Sequence, residues 1–467
     1  MLFSTTLIPP LAVSLYYSDG EATHFSITFA IAAIVGVALW LPLHRHPTTI
    51  RTRDGFAIVA FMWTAISVLG SVPFLLALDI SFADAMFESV SGYTTTGATV
   101  LVGLDELPRS MLLYRQELQW LGGIGVIVLS VALLPMLGIG GMQLYRAEVP
   151  GPFKDERMTP RVARTARRLS ELYLGFTVAC ALCYWLAGMD LFDAIGHGMA
   201  TVATGGYSTH DASIAYYDSL LIEAIAIVFM MIGGINFSVH FLAWRALRLR
   251  LYGQDTQTRA FVLIVAALSL FVAAVLYVTG TYDSVLEALR YGTFQVVSVI
   301  TTTGFATANI AIWPLALPVL LIFSSFIGGS AGSTSGGLKV IRVVILVKQA
   351  GVHLQRLIHP RSLYPVRIDG RIVSDSIIDG IWGFFTVYVA VFALLMVVLM
   401  LDGVDQVTAF GAVSTSLNNL GPGLGDVAIT FQTLSDHSTL LMAFSMLLGR
   451  LEIFTFLVLL TPAFWRR

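Results

Sequence analysis

The sequence predicts an all-α polytopic membrane protein, with an N-terminal two-helix hairpin followed by four helix–pore loop–helix units around a common axis. The first observation is composition: 56% of the 467 residues are hydrophobic and 12% are charged, about half the charged share of a soluble domain. The second is that apolar stretches of about 20 residues, enough to cross a bilayer, recur throughout the chain. The third is a short polar stretch of threonine and glycine that recurs four times between them.

The elements follow in order. The hairpin is predicted at 1–45, with helices over 2–17 and 25–43. The four units are predicted at 55–138, 171–243, 258–348 and 377–463. Each begins with a spanning helix, at 55–78, 171–189, 258–280 and 377–401. Each continues with a short helix that does not span, at 82–93, 191–202, 284–300 and 404–417. Each ends with a second spanning helix, at 112–138, 219–243, 314–348 and 438–463. Ten spanning helices and four short helices result, and the short ones must be buried in protein because irregular backbone at membrane depth is tolerated only there.

The recurring polar stretch follows each short helix and is the candidate binding site. Thr94-Thr95-Thr96-Gly97 and Thr301-Thr302-Thr303-Gly304 share residues at six positions counted back from the glycine, and two weaker copies end at Gly205 and Gly421. A cation that loses its hydration shell needs oxygen ligands, which rings of backbone carbonyls supply, and glycine adopts the conformations that turn carbonyls toward an axis. We therefore expect four segments to bind one cation through backbone oxygens, namely those of Thr95, Thr96, Gly97, Ala203, Thr204, Gly205, Thr302, Thr303, Gly304, Asn419, Leu420 and Gly421.

The charges predict the orientation. The segments assigned to the inside carry 21 of the 27 lysines and arginines, whereas the opposite side collects aspartates. By the positive-inside rule both termini are cytoplasmic and the four polar stretches face outward. The two cysteines, Cys180 and Cys183, lie in an apolar stretch and are interpreted as buried thiols.

Two features inside the membrane suggest a gate. The second helix of unit 3 is interrupted by ten residues, 328–337, of which five are glycines that disfavour helix. Unit 4 has Arg450 where units 1, 2 and 3 have a glycine, and an ionisable residue at this depth is a functional hypothesis by default. Arg450 either faces the pathway or pairs with Glu452 or another neighbour and only holds helices together. The proposed gate residues are Gly328, Gly329, Ser330, Gly332, Ser333, Gly336, Gly337, Lys339 and Arg450.

These units, the Thr-Thr-Thr-Gly stretches, the Gly/Ser loop 328–337 and the Gly449-Arg450-x-Glu452 cluster resemble the Trk/Ktr/HKT superfamily of cation transporters. The opening hairpin makes the chain most similar to the bacterial TrkH/TrkG subunits. The resemblance implies one ion pathway with a selectivity filter at Gly97, Gly205, Gly304 and Gly421, and an intramembrane gate formed by loop 328–337 and Arg450. A glycine at the first filter position goes with potassium selectivity in that superfamily, and a serine there with sodium.

The resemblance also implies K+ as the transported ion, a bacterial cytoplasmic (inner) membrane location, a homodimer, and a cytosolic TrkA-like nucleotide-binding regulatory subunit. We expect no nucleotide on this chain itself, no enzyme activity and no nucleic-acid partner. The basic segments 146–168 and 245–259 are candidates for docking the regulatory subunit, although the positive-inside rule alone also explains them.

Two alternatives remain. A carrier that couples potassium to protons or sodium would use the same filter, and the sequence does not separate it from a gated channel. An intramembrane serine protease is suggested by Gly328-Gly329-Ser330-Ala331-Gly332, which matches G-x-S-x-G, with His197 and His240 in apolar surroundings. That motif requires a strand-to-helix turn, whereas here it interrupts a helix.

Overall fold

The fold is described from a computed structural model, which covers residues 2–44, 52–132, 160–360 and 364–466. Nearly all regular structure in these ranges is helical, apart from a two-residue hairpin pairing Arg367–Ile368 with Arg371–Ile372. The N-terminal hairpin consists of helices Leu2–Thr5, Ile8–Tyr17 and Ala22–Leu43, so its predicted first helix is interrupted after one turn. The fold is that of an all-α polytopic membrane protein, as predicted.

Each unit opens with a long helix, and these are Thr52–Ala77, Pro160–Leu186, Thr256–Val278 and Asp375–Leu401. By length and composition, five described helices are able to cross a membrane: these four, over most of their length, and Ala22–Leu43. The number rises to seven if two bent helix pairs each count as one span. Ten spanning helices are predicted from the sequence. Among the described residues four of these are not continuous, namely the first helix of the hairpin and the second helices of units 2, 3 and 4.

The short helices are Phe82–Tyr93, Leu191–Val202, Val285–Ile300 and Gln406–Asn418. Each begins at a residue whose side chain accepts a hydrogen bond from the first turn: Ser81, Asp190, Ser284 or Asp405. Twelve residues make a helix about 18 Å long, too short for a hydrocarbon layer of about 30 Å. Most of their residues are buried, and in each unit the short helix packs on the long helix before it.

The second helix is continuous only in unit 1, where Arg109–Ala132 runs to the end of the described segment; positions 133–138 of the predicted helix lie outside the described residues. In unit 2 it bends by 99° between Leu220–Gly234 and Phe237–Ala246, and in unit 4 by 108° between Asp436–Arg450 and Ile453–Leu460. These bends correct the predicted straight helices 219–243 and 438–463. Asn236 accounts for the first break, since its side chain accepts a hydrogen bond from Ser238 N (2.8 Å) and caps a new helix.

In unit 3 the second helix is Leu317–Ile327, then a loop, then Val340–Ile358. The interruption was predicted, but it extends two residues further, to Lys339, whose φ of 78° lies in the left-handed region. Glu452, at the break of unit 4, has a φ of 60°. The three breaks lie at or directly after the aligned positions Gly234, Gly329 and Arg450.

The units close a circle. The second helix of each unit packs on the short helix of the next unit. The second helix of unit 4 packs on the short helix of unit 1, which closes the circle. The seam between units 4 and 1 is also hydrogen-bonded, with Phe431 N donating to Thr99 O (2.8 Å) and Ser81 Oγ to Asp436 Oδ1 (3.2 Å). All four short helices therefore end around one centre.

Candidate functional site

Each short helix ends in the same backbone turn. In unit 1, Thr95 N donates to Gly92 O (2.9 Å) and Thr96 N to Ser91 O (2.9 Å), the two bonds of a Schellman motif. The same pair of bonds forms in the other units, at Thr204/Gly205, Thr302/Thr303 and Asn419/Leu420. The residue in the left-handed conformation is Thr95, Thr204, Thr302 or Asn419, with φ between 50° and 56°. Glycine normally occupies this position, and a β-branched threonine with positive φ is rare. Strained backbone of this kind concentrates at functional sites.

Four glycines, each two residues after the left-handed residue, lock the turns into a ring. A β-carbon on Gly97 would lie 2.0 Å from Gly205 O of unit 2, and one on Gly206 would lie 1.9 Å from Thr303 O of unit 3. The circle continues from Gly304 to Leu420 O of unit 4 (2.3 Å) and from Gly421 to Thr96 O of unit 1 (2.8 Å). Every unit therefore presents a carbonyl oxygen to the glycine of the unit before it. At each of these four glycines, a side chain larger than hydrogen would fit only if that carbonyl moved.

This ring corrects the predicted register of unit 2. Gly206 is the counterpart of Gly97, as its φ and the hydrogen bonds of the preceding turn show. Gly205 is the counterpart of Thr96, and Ala203 is the counterpart of Thr94. The adjacent glycines Gly205 and Gly206 allowed either alignment on the sequence. The four equivalent turns are therefore 95–97, 204–206, 302–304 and 419–421.

Side chains around the turns brace them. Thr94 Oγ1 and Thr96 Oγ1 are 2.7 Å apart, as are Thr301 Oγ1 and Thr303 Oγ1. Asn419 Nδ2 donates to Thr96 Oγ1 (3.0 Å), which joins units 4 and 1. Among the described residues, no group of three or more histidines, cysteines or carboxylates could hold a metal ion. Oxygen ligands at this centre come from backbone carbonyls and hydroxyls.

Loop 328–337 lies directly beneath the turns and bonds to three units. Thr334 Oγ1 contacts Thr204 Oγ1 (3.1 Å) of unit 2, and Gly336 N donates to Thr302 Oγ1 (2.6 Å) of its own unit. Gly337 N donates to Asn418 O (3.1 Å) of unit 4. Thr334 N and Ser330 N also donate to the last carbonyls of the broken helix of unit 2, Gly233 O and Gly234 O. Hydrogen bonds thus fix loop 328–337, which we call the plug, against the turns.

Arg450 contacts this loop. Its side chain is 6% exposed, and Nη1 donates to Thr334 O (2.8 Å). Nε and Nη2 have no hydrogen-bond partner among the described residues. Glu452 is paired instead with Arg342 (2.7 Å), so a pairing of Arg450 with Glu452 is not what the structure has. Lys339 Nζ donates to Ser335 O.

Two of the glycines aligned with Arg450, Gly123 and Gly234, point toward aromatic side chains. A β-carbon on Gly123 would meet Tyr173 Oη at 2.5 Å, and one on Gly234 would meet Phe261 Cζ at 2.8 Å. Alignment with these two glycines therefore does not place Arg450 toward the pathway, although its side chain does reach the loop. A cavity of about 40 Å³, large enough for a few waters, lies beside Arg450, Lys339, Asn419 and Gly336.

Loops of units 1 and 2 are also joined. His210 Nδ1 hydrogen-bonds to Asp105, and His210 Nε2 lies 3.1 Å from Asp193 Oδ2. The hydrogen bond from His210 holds the pKa of the Asp105 carboxyl below its usual value. Asp105 is therefore ionised at neutral pH, which favours this link.

Known proteins match this chain over its whole length. The family model for TrkH, described as a cation transport protein, matches residues 21–467. The Trk system potassium uptake protein TrkH of Vibrio parahaemolyticus is 51% identical over 469 residues, which cover 100% of this chain and 97% of the relative. The chain belongs to the TrkH family. Its relative TrkG of Escherichia coli K12 is 41% identical, over 100% of this chain and 96% of TrkG.

The family fold is also matched. The crystal structure of the potassium transporter TrkH from Vibrio parahaemolyticus superposes with a TM-score of 0.93 at 48% identity, covering 100% of this chain and 97% of that one. The resemblance to the Trk/Ktr/HKT superfamily is confirmed. Members of the TrkH family are transporters rather than enzymes, and so is this chain.

The geometry also removes the hydrolase alternative. His240 bonds to Tyr252 Oη (2.8 Å) and Ile232 O (2.9 Å), and His197 to Ser208 Oγ (2.9 Å) and Asp193 O (2.9 Å). Both ring nitrogens of each histidine are thus engaged away from Ser330. Ser330 Oγ is buried without a hydrogen-bond partner among the described residues, so it has no base.

Sequence reasoning missed several residues behind the turns of this TrkH-family chain. Gln119 Nε2 donates to Gly205 O (2.6 Å), and Gln119 Oε1 accepts from Tyr207 N (3.0 Å). Glu88 and Arg115 form an ion pair in which the two side chains are 0% and 1% exposed. Their polar character in a buried segment was the available signal, but Glu88 and Arg115 are 27 residues apart, and Gln119 bonds to unit 2.

Proposed function

We propose that the chain mediates potassium uptake through a pathway at the centre of the four turns. The closed circle of glycine and carbonyl contacts carries this proposal, because it gathers backbone oxygens of four units around one point. The relatives are named as potassium uptake proteins, and all four counterpart positions, Gly97, Gly206, Gly304 and Gly421, are glycine. Rings of carbonyls replace the hydration shell of an alkali cation.

The cation is held by backbone oxygens of the four equivalent turns, 95–97, 204–206, 302–304 and 419–421. Ala203 leaves the predicted set and Gly206 enters it, because of the register found above. The C-terminal ends of the four short helices converge here, and each carries roughly half a negative charge that favours a cation. Gly205 O, already bonded to Gln119, is the weakest of these ligands.

The pathway is closed in this conformation by loop 328–337 and Arg450. The loop bonds to turns of units 2, 3 and 4, and Arg450 adds a fixed positive charge beside it. A cation that leaves the turns therefore meets a loop and a guanidinium. Opening requires the bond between Arg450 and Thr334 O to break.

Opening is controlled by a cytosolic TrkA-like nucleotide-binding subunit, and the chain acts as a homodimer in the bacterial inner membrane with both termini cytoplasmic. The relatives' names assign them to a Trk system, which supports a multi-component assembly. The concentration of basic residues on one side supports the orientation. Of the candidate docking segments, 245–259 holds the exposed helix Arg250–Gln254, while 146–159 lies outside the described residues.

Cation flux into proteoliposomes tests the proposal. We expect potassium and rubidium to enter faster than sodium and lithium, without an imposed pH gradient, once the regulatory subunit is present. A preparation that passes none of the four cations with the subunit bound would contradict the proposal. Equal flux of all four would contradict the filter.

Arg450→Ala tests the gate. Removing the guanidinium deletes its bond to Thr334 O and a positive charge, so basal potassium flux without the regulatory subunit should rise about tenfold or more. Arg248→Ala, an exposed arginine on the same chain, is the matched control and should leave the flux unchanged. Unchanged flux in Arg450→Ala at normal expression would assign Arg450 a structural role only.

One observation favours a proton-coupled carrier as the second candidate. The side chain of Glu117 is buried in the second helix of unit 1, and its Oε2 has no hydrogen-bond partner among the described residues. A buried carboxyl at membrane depth is a candidate proton-binding group. Flux that requires a pH gradient in the wild type and loses that requirement in Glu117→Gln would establish this carrier. Flux independent of the gradient in both would exclude it.

A further inference from the structure

A buried charged cluster lies behind the turns of units 1 and 2. Glu88 Oε1 accepts from Val100 N (2.8 Å) and from Thr99 Oγ1, in the segment that leaves the turn of unit 1. Its Oε2 accepts from Arg115 Nε (3.3 Å). Arg115 Nη2 donates to Thr99 Oγ1 (3.0 Å). The Glu88 carboxylate thus holds the segment that follows the turn of unit 1, and Arg115 neutralises the charge of this carboxylate.

Tyr207 ties this cluster to unit 2. It follows Gly206 directly, and its hydroxyl lies 2.9 Å from Glu88 Oε2 and 3.1 Å from Ala98 O. The Arg115 guanidinium stacks 4.1 Å from the centre of the Tyr207 ring, and its Nη1 lies 3.4 Å from Ser208 O. We call Glu88, Arg115 and Tyr207 the clamp. The clamp joins the residue after Gly97 to the residue after Gly206.

Equivalent positions in the other units lack this charge. Nine residues before the ring glycine, the four units have Glu88, His197, Gln295 and Ala412. One residue after the glycine they have Ala98, Tyr207, Phe305 and Pro422. Phe305 packs against His197 with ring centres 6.0 Å apart, the same place in the next pair of units, but it has no hydroxyl. The contact between these two positions of neighbouring units therefore recurs. Between units 1 and 2 it includes charged groups and hydrogen bonds.

We propose that Glu88, Arg115 and Tyr207 are positioning residues that set the ion selectivity of the pathway by fixing the turns of units 1 and 2 relative to each other. This inference rests on the proposed function. The clamp contacts the carbonyl of Ala98 and the backbone after Gly206, one residue from the ring on either side. Whether selectivity arises from the size of the carbonyl ring or from its field, it depends on where those oxygens are held.

Tyr207→Phe is the first test, since Phe305 shows that the ring position accepts phenylalanine. The variant removes one hydroxyl and leaves Ala98 O bonded to Ser91 Oγ (2.6 Å). We expect the ratio of sodium to potassium flux in proteoliposomes to rise about fivefold, the scale of one lost hydrogen bond. Tyr114→Phe is the matched control, because Tyr114 is equally buried and its hydroxyl donates to Gly70 O (2.9 Å) away from the turns.

A flux ratio does not depend on how much protein is inserted, so a purely structural role would lower both fluxes and leave the ratio unchanged. An unchanged ratio in Tyr207→Phe, or an equal rise in Tyr114→Phe, would overturn the proposal. Wild-type protein that passes no potassium with the regulatory subunit bound would instead overturn the proposed function. If Tyr207→Phe does not assemble, the double variant Glu88→Gln, Arg115→Met tests the proposal instead. Because both charges are removed together, no buried charge is left without its partner. That variant should also raise the ratio, and an unchanged ratio would refute the clamp.

Discussion

Threonine in a left-handed turn is the feature of single residues that most distinguishes this site. A left-handed conformation costs an L-residue roughly 1–2 kcal/mol, and threonine adopts it at three of the four turns. Glycine would relieve the strain, yet Thr302 Oγ1 accepts the loop bond from Gly336 N and Thr204 Oγ1 contacts Thr334. The hydroxyls at these positions therefore link the turns to the plug, which a glycine could not do.

Substitutions at Gly97 test the ring directly. In Gly97→Ala or Gly97→Ser the new β-carbon would collide with Gly205 O, so the carbonyl must move and sodium should be admitted, with the sodium-to-potassium flux ratio rising about tenfold. Gly103→Ala is the control for backbone strain alone, since Gly103 also has a positive φ (71°) but open space around it. A Gly97→Ser protein that keeps its potassium preference would refute the role of this glycine.

Features of single residues could be predicted where the pattern is local in sequence, whereas contacts between distant residues were missed. The two Thr-Thr-Thr-Gly repeats identified the turns of units 1 and 3, and the weaker copy ending at Gly421 identified that of unit 4, because each of these patterns is local. The register of unit 2 was missed by one residue, since Gly205 and Gly206 are adjacent and only φ separates them. The clamp was missed because Glu88 and Tyr207 are 119 residues apart and no local pattern links them.

At the scale of elements, the short helices were predictable, whereas the breaks in the second helices of units 2 and 4 were not. The predicted ranges 82–93 and 191–202 agree with the helices Phe82–Tyr93 and Leu191–Val202, because Ser81 and Asp190 are clear N-caps. The breaks at 235–236 and 451–452 interrupt apolar stretches whose hydropathy is that of a continuous span. They depend on neighbours such as Gly332 O, which accepts from Phe237 N (3.0 Å).

The plug is an element whose fit can be disturbed at one residue. A β-carbon on Gly336 would lie 2.0 Å from Asn418 O, so Gly336→Ala should push the loop from the turn of unit 4 and raise basal potassium flux several-fold. The control is Gly351→Ala, in a helix and with nothing near its added β-carbon. Flux at the wild-type level in assembled Gly336→Ala protein would show that the loop does not close the pathway.

At the scale of the whole molecule, four units that differ in sequence form one closed circle. The seam between units 4 and 1 joins residues that are distant in the chain, since Ser81 and Asp436 are 355 residues apart. These two residues lie at its exposed edge, whereas Phe87 and Phe431 pack within an apolar core that units 1 and 4 share. Closure is therefore a property of the complete chain rather than of any unit.

A cross-link across this seam tests the closure. With Ser81→Cys and Asp436→Cys, a short bifunctional thiol reagent should join the two halves of a chain that carries a protease site at the exposed Gly253. After cleavage we expect one full-length species on a denaturing gel. The Ser81→Cys single variant, which retains only Cys180 and Cys183 besides, should give two fragments. Two fragments from the double variant would contradict the closed circle.

The loop beneath the turns has a consequence for the symmetry of the molecule. It comes from unit 3 alone and bonds to units 2, 3 and 4. Four identical subunits around the same centre would each send such a loop into a space that admits one. With four repeats in one chain, unit 3 carries a loop that the other units lack, while all four keep the ring glycine. Covalent linkage of the repeats thus permits an asymmetric loop beneath a nearly symmetric ring.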